Sequence, residues 1–102
     1  LDLVELDGHY NGEGYDMLKV EIDTSGAYGT ATFIVKYLSD DKLEGGTTSP
    51  EVITGGLQHI HNGLYGRFQG SSAHADDYWH IEVYGGYREQ TNKSNATIEL
   101  RR

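Results

Sequence analysis

His59 and His61 stand two residues apart in Leu57-Gln58-His59-Ile60-His61. In a strand that spacing puts two imidazoles on one face, where they could hold a transition metal if a third ligand arrived. His80 or His74 would be that ligand. The spacing is common, however, and no His-x-x-x-Glu or second histidine pair follows it in a cupin-like order. Hairpin histidines beside a turn, hydrogen-bonded or solvated, are the ordinary outcome for so short a motif. His59 and His61 are thus the metal candidates of the chain, and no cofactor is expected.

The acidic residues offer other chemistry. Asp40-Asp41 and Asp76-Asp77, with Asp7, Glu13 and Asp23, would bind calcium if loops gathered them, but no Asp-x-Asp-x-Asp-Gly loop is present. A glycosidase needs two carboxylates facing one cleft, and the chain is short for a cleft. Ser71, Ser72, His74 and Asp76 assemble a triad on paper, with nothing like a nucleophile elbow around them. Solvated loop acids account for these residues, and no catalytic residue is assigned.

The tyrosines are more informative as a set: Tyr10, Tyr15, Tyr28, Tyr65, Tyr78, Tyr84 and Tyr87. Tyrosine joins stacking area to a hydroxyl, which suits protein interfaces and sugar rings alike. Tyr78, Tyr84 and Tyr87 fall on the outward side of the strand that carries Trp79, or just beyond it. With Tyr65 they form the expected ligand or partner face. A neighbouring domain or subunit is the first occupant to expect there, and a glycan the alternative. Asn92-Lys93-Ser94 and Asn95-Ala96-Thr97 match the glycosylation triplet, which matters only in a eukaryotic secretory setting.

The elements that must position these side chains are strands. Asp16-Met-Leu-Lys-Val-Glu-Ile22 alternates Leu18, Val20 and Ile22 with Lys19 and Glu21, the mark of a strand with one dry and one wet face. The same period returns at Phe33, Val35 and Tyr37, at Trp79, Ile81 and Val83, and at Ala96, Ile98 and Leu100. Asn62-Gly63 tolerates positive φ at both central positions, as a type I′ hairpin turn requires. In a simple two-residue register, His61 faces Leu64 and Leu57 faces Phe68. Those four and His59 then share one face, and Gln58, Ile60, Tyr65 and Arg67 the other. Leu1 to Leu6 and Glu51 to Thr54 read as further strands, His9 to Gly14 as a loop or a bulged strand, Gln69 to Asp77 as a polar loop, and Ser39 to Pro50 as an exposed loop.

These segments predict an all-β domain: a single antiparallel two-sheet β-sandwich of about seven or eight short strands. The 102 residues suffice for one such domain, and 14 Gly with 8 Tyr suit short strands and tight turns. The expected inward set is Leu18, Val20, Ile22, Phe33, Val35, Trp79, Ile81, Val83, Ile98 and Leu100. No 3.6-residue period persists, and no apolar run approaches the ~20 residues of a membrane helix. The net charge of −8 argues against phosphate backbones and anionic membrane surfaces, so neither nucleic acid nor membrane is an expected partner. The chain has no cysteine, which removes thiol nucleophiles and cysteine-ligated metals. It opens at Leu1 and not at Met, as expected of a processed protein or part of a longer chain.

Three blocks resemble a small β-sandwich domain that recurs in phage virion proteins, tail and fibre proteins especially, and in bacterial flagellar and surface proteins. The first runs from Tyr15 to Tyr37 and includes Gly29-Thr30-Ala31-Thr32-Phe33. The second joins Val52-Ile53-Thr54-Gly55-Gly56 to Asn62-Gly63-Leu64-Tyr65-Gly66-Arg67-Phe68. The third is Ala75-Asp76-Asp77-Tyr78-Trp79-His80-Ile81-Glu82-Val83, with Asp76 where that pattern usually has glycine. The resemblance covers half to two-thirds of the chain, and its motifs are structural. It implies a noncatalytic module of a virion or extracellular surface, a capsid decoration or tail domain, whose partners are other structural subunits in an oligomer or larger assembly. It carries over no active-site residue.

Overall fold

The computed structural model describes residues 1–12, 14–38, 46–85 and 96–101. Tyr87, the Asp40-Asp41 pair, Glu13 and the glycosylation asparagines Asn92 and Asn95 lie outside the described residues, as does the side chain of Leu100. The described residues form eight strands: β1 (Asp2–Gly8), β2 (Tyr15–Thr24), β3 (Thr32–Tyr37), β4 (Glu51–Val52), β5 (Gln58–His61), β6 (Leu64–Gln69), β7 (Tyr78–Tyr84) and β8 (Ala96–Arg101). They make two antiparallel sheets, one ordered β1-β6-β5 and the other β4-β3-β2-β7-β8. The fold is therefore all-β and compatible with the expected small sandwich.

The alternating stretches build the core. Leu18, Val20, Ile22, Phe33, Val35, Trp79, Ile81 and Val83 are all buried, and Ile98 packs partly buried against them. Phe68 of the three-stranded sheet sits between Phe33 and Trp79 of the five-stranded sheet, at centroid distances of 5.3 and 5.5 Å. Trp79 also ties the sheets through its indole N–H, which donates to Asp2 Oδ1 at 2.6 Å. An aromatic of this size needs a partner for its one polar atom when buried, and β1 supplies it. The polar segment before β7 is pinned to the sandwich. Gly26 and Ala73 exchange backbone hydrogen bonds, and Asp76 N–H donates to Ile22 O. Asp76 takes φ 75°, a conformation that glycine adopts without steric penalty.

Two expectations need correction. The hairpin turn forms as anticipated, with φ 47° at Asn62 and 85° at Gly63, and His61 pairs with Leu64. Beyond that pair the register slips by one residue, so that His59 pairs with Tyr65 and Gln58 with Gly66. Ile60 occupies this bulge and joins Leu64 and Phe68 in the core, while Leu57 and His59 are exposed. The bulge buries an isoleucine and leaves the His59 imidazole in water, which favours it over the simple register. Gly66 makes room: a β-carbon there would come within 3.2 Å of Ile60 and 3.0 Å of Leu3.

The second correction concerns Tyr10, which belongs to the core and not to the tyrosine surface. It is 1% exposed, packs under Gly12 and hydrogen-bonds hydroxyl to hydroxyl with the buried Tyr37 at 2.6 Å. The Asn62 side-chain amide donates to that same Tyr37 hydroxyl, and backbone bonds tie His9 and Asn11 to the turn. The apparent loop before β2 thus seals one end of the sandwich.

Candidate partner-binding face

Side chains in phase with Lys19 and Glu21 point outward from β2, and those in phase with His80 point outward from β7. Because β2 and β7 pair, Tyr15 faces Tyr84, Met17 faces Glu82, Lys19 faces His80 and Glu21 faces Tyr78 on the outer face of the five-stranded sheet. Tyr15 is 56% and Tyr84 37% exposed, and their rings stand 5.2 Å apart at 56°.

Glu82 organises this end of the face. The Tyr15 hydroxyl donates to Glu82 Oε2 at 2.7 Å and the Tyr84 hydroxyl to Oε1 at 2.6 Å. Two donors on one carboxylate favour its charged form, so Glu82 is held below the usual carboxylate range. The same bonds make the phenols harder to ionise: Tyr15 is raised, and Tyr84 is pushed up to about 12. The charge of Glu82 in turn raises the neighbouring Glu99 of β8.

At the other end of the face, Tyr78 is bracketed. His80 lies 5.0 Å from its ring, and the Lys19 ammonium sits 4.5 Å from its centroid. Lys19 and Lys36 each approach Glu21 at 3.9 Å. Burial and then the Lys19 charge lower the basicity of His80.

The expected tyrosine face is divided between the two sheets. Tyr78 and Tyr84 share the face just described, whereas the exposed Tyr65 belongs to the three-stranded sheet, where its ring meets that of His59 at 5.4 Å. Tyr15 is the member that sequence reasoning did not place there, whereas Glu82 follows the outward parity of His80 and Tyr84 on β7. The parity of Tyr15 with Lys19 was a usable signal for its direction, but the pairing of β2 with β7 is long-range and leaves no local mark.

The histidines are likewise dispersed. His61 turns toward Tyr37, ring to ring at 5.5 Å, and burial followed by the nearby His59 lowers its basicity. His59 Nε2 accepts the Gly63 N–H at 3.4 Å. His80 lies on the other sheet and His74 on the exposed segment before β7. Among the described residues no group of three His, Asp or Glu side chains is gathered in a way that could hold a metal ion. A shallow cavity of about 110 Å³ lies beside His59, Ile60 and His61, bounded also by Phe33, Thr48 and Glu51. That is well under the ~300 Å³ at which small-molecule sites begin.

The chain matches no family model, no curated protein and no solved structure at significance.

Proposed function

We propose that the domain is a noncatalytic interaction module, and that the outer face of the five-stranded sheet is its contact surface. The observation that carries this reading is the Tyr15–Glu82–Tyr84 arrangement. Two half-exposed aromatic rings are held by their hydroxyls on a rigid sheet, so little side-chain freedom is lost when a partner covers them. Tyrosines of this kind are the usual anchors of protein interfaces. The resemblance of the three sequence blocks to virion and surface-appendage domains supports an extracellular or particle setting, with a tail or decoration role.

A glycan is the less favoured occupant. Sugar stacking uses an open ring face, whereas the Tyr15 and Tyr84 rings are tilted at 56° and a lysine occupies Tyr78. The test is a pairwise binding matrix between this domain and the proteins encoded beside it, run with a glycan array. A protein partner whose affinity falls about 30-fold or more in Tyr15→Ser/Tyr84→Ser, but holds in Tyr65→Ser, is the expected result. Loss of binding in Tyr65→Ser alone, or a glycan signal with no protein partner, would overturn the proposal.

A further inference from the structure

The outer face of the five-stranded sheet sorts its charges by strand. Lys36 of β3 pairs with Lys19 of β2, which pairs with His80 of β7, so the three lie in one cross-strand row. Exposed Glu99 of β8 sits at the end of that row, where the β7–β8 pairing slips between His80 and Ile81. On the β3–β2 side, two ammonium groups share the single carboxylate of Glu21. On the β7–β8 side, Glu82 opposes Thr97, two residues before Glu99, and its charge acts on the Glu99 carboxyl. Tyr15 and Tyr84 close one end of the face.

We infer that this face binds a second copy of the chain, face to face about a two-fold axis running along the strands between β2 and β7. The inference rests on the face being the contact surface and adds the identity of its occupant. Such an axis exchanges β2 with β7 and β3 with β8, making a self-complementary contact. Lys36 then meets the partner's Glu99, Lys19 meets the partner's His80, and Tyr15 meets the partner's Tyr84. A two-fold running across the strands through that row stacks each strand on its own copy and sets Lys36 against the partner's Lys36 and Lys19 against the partner's Lys19. Like charges brought together in this way are strongly unfavourable, so the charge pattern selects the first axis.

The dimensions permit the contact. Four strands at ~4.8 Å spacing and seven residues at ~3.3 Å rise give a patch of roughly 19 by 23 Å. Two such faces with their side chains bury on the order of 1,000 Å² in total, the lower end for a specific interface. Much of the acidic excess lies off the face, at residues such as Asp2, Glu5, Asp7 and Glu51, and so is held away from the contact.

The test is sedimentation of the chain over a concentration series from low micromolar to millimolar, using charge-swapped variants. The wild type is expected to dimerise reversibly. Lys19→Glu/Lys36→Glu and Glu82→Lys/Glu99→Lys should each weaken self-association roughly 100-fold, and an equimolar mixture of the two should recover a dimer. Fluorescence from buried Trp79 confirms that each variant is folded. Should the Glu82 variant fail that check, Lys36→Glu and Glu99→Lys alone carry the same swap. A wild type that stays monomeric at millimolar concentration, a dimer indifferent to both reversals, or a mixture that does not associate would overturn the inference. If the chain is monomeric while Tyr15→Ser/Tyr84→Ser still abolishes binding to another protein, the occupant is wrong and the contact face stands. A dimer broken by Tyr65→Ser and not by the swaps would remove both.

Discussion

Two tyrosine pairs flank β2, and they have opposite fates. Tyr10 and Tyr37 are buried and satisfy each other, hydroxyl to hydroxyl, with the Asn62 amide as a third member. Tyr15 and Tyr84 stand outside the sheet, and their hydroxyls converge on the Glu82 carboxylate. Burial and the hydrogen bond to Tyr37 raise the Tyr10 phenol, whereas the Glu82 bond is the first cause for Tyr84. The inner pair spends its polar atoms sealing one end of the core. The outer pair is ordered with its ring surface still in water, which is what a contact surface requires. Residue type alone therefore does not separate packing from recognition; the partner of the hydroxyl and the burial of the ring do.

Truncation should separate the two pairs most sharply. Tyr10→Ala is expected to cost about 3–5 kcal/mol in denaturant unfolding, as for other large core aromatics, whereas Tyr15→Ala should leave the unfolding midpoint nearly unchanged. Comparable losses at the two sites would erase the distinction. The bulge draws the same boundary within β5. Ile60→Ala should cost about 2–5 kcal/mol and Leu57→Ala about 0.5 or less. A reversed order would restore the simple hairpin register. Removing a single oxygen is a finer probe. Tyr37→Phe deletes both bonds of the buried hydroxyl and should destabilise by about 1–3 kcal/mol, whereas Tyr84→Phe on the exposed face should leave unfolding nearly unchanged.

The smallest effect is electrostatic and depends on pH. Glu82 has a depressed folded value, so its contribution is present above the ordinary glutamate range and is lost as pH falls through the folded value. Glu99 is shifted the other way by the charge of Glu82, so the folded state is penalised once pH rises past that raised value. Glu99→Gln should therefore raise the thermal midpoint at neutral pH and leave it unchanged at pH well below both carboxyls, measured at high dilution where copies do not associate. An unchanged midpoint at neutral pH would mean that the two carboxyls do not interact.

Much of the fold was legible because its strands alternate cleanly. Leu18, Val20 and Ile22, with Trp79, Ile81 and Val83, declare an inner face without reference to any neighbour. Asn62-Gly63 likewise declares its turn, since few other dipeptides accept positive φ twice. Ile60 was misplaced because a bulge inserts one residue and inverts the parity beyond it, which no local pattern announces. Tyr10 was misread because glycines and asparagine around it resemble a solvated loop, while the hydroxyl that receives it lies 27 residues away on β3. The candidate face was half visible. Alternation sent Tyr78, Glu82 and Tyr84 outward, but Tyr15 joins them only through the long-range pairing of β2 with β7. Tyr65 shares their chemistry and sits on the other sheet, a separation that follows from topology.

The claim on which the face depends is that Glu82 holds Tyr15 and Tyr84 in one preformed unit. Tyrosine-selective carbon labelling with an NMR pH titration tests it directly, comparing the wild type with Glu82→Gln. The account predicts that Tyr84 titrates at about 12 in the wild type. Without the carboxylate it should fall back toward the ordinary phenol value of about 10, with Tyr15 moving in the same direction. A Tyr84 that titrates at the ordinary value in the wild type, or one that does not respond to Glu82→Gln, would contradict it.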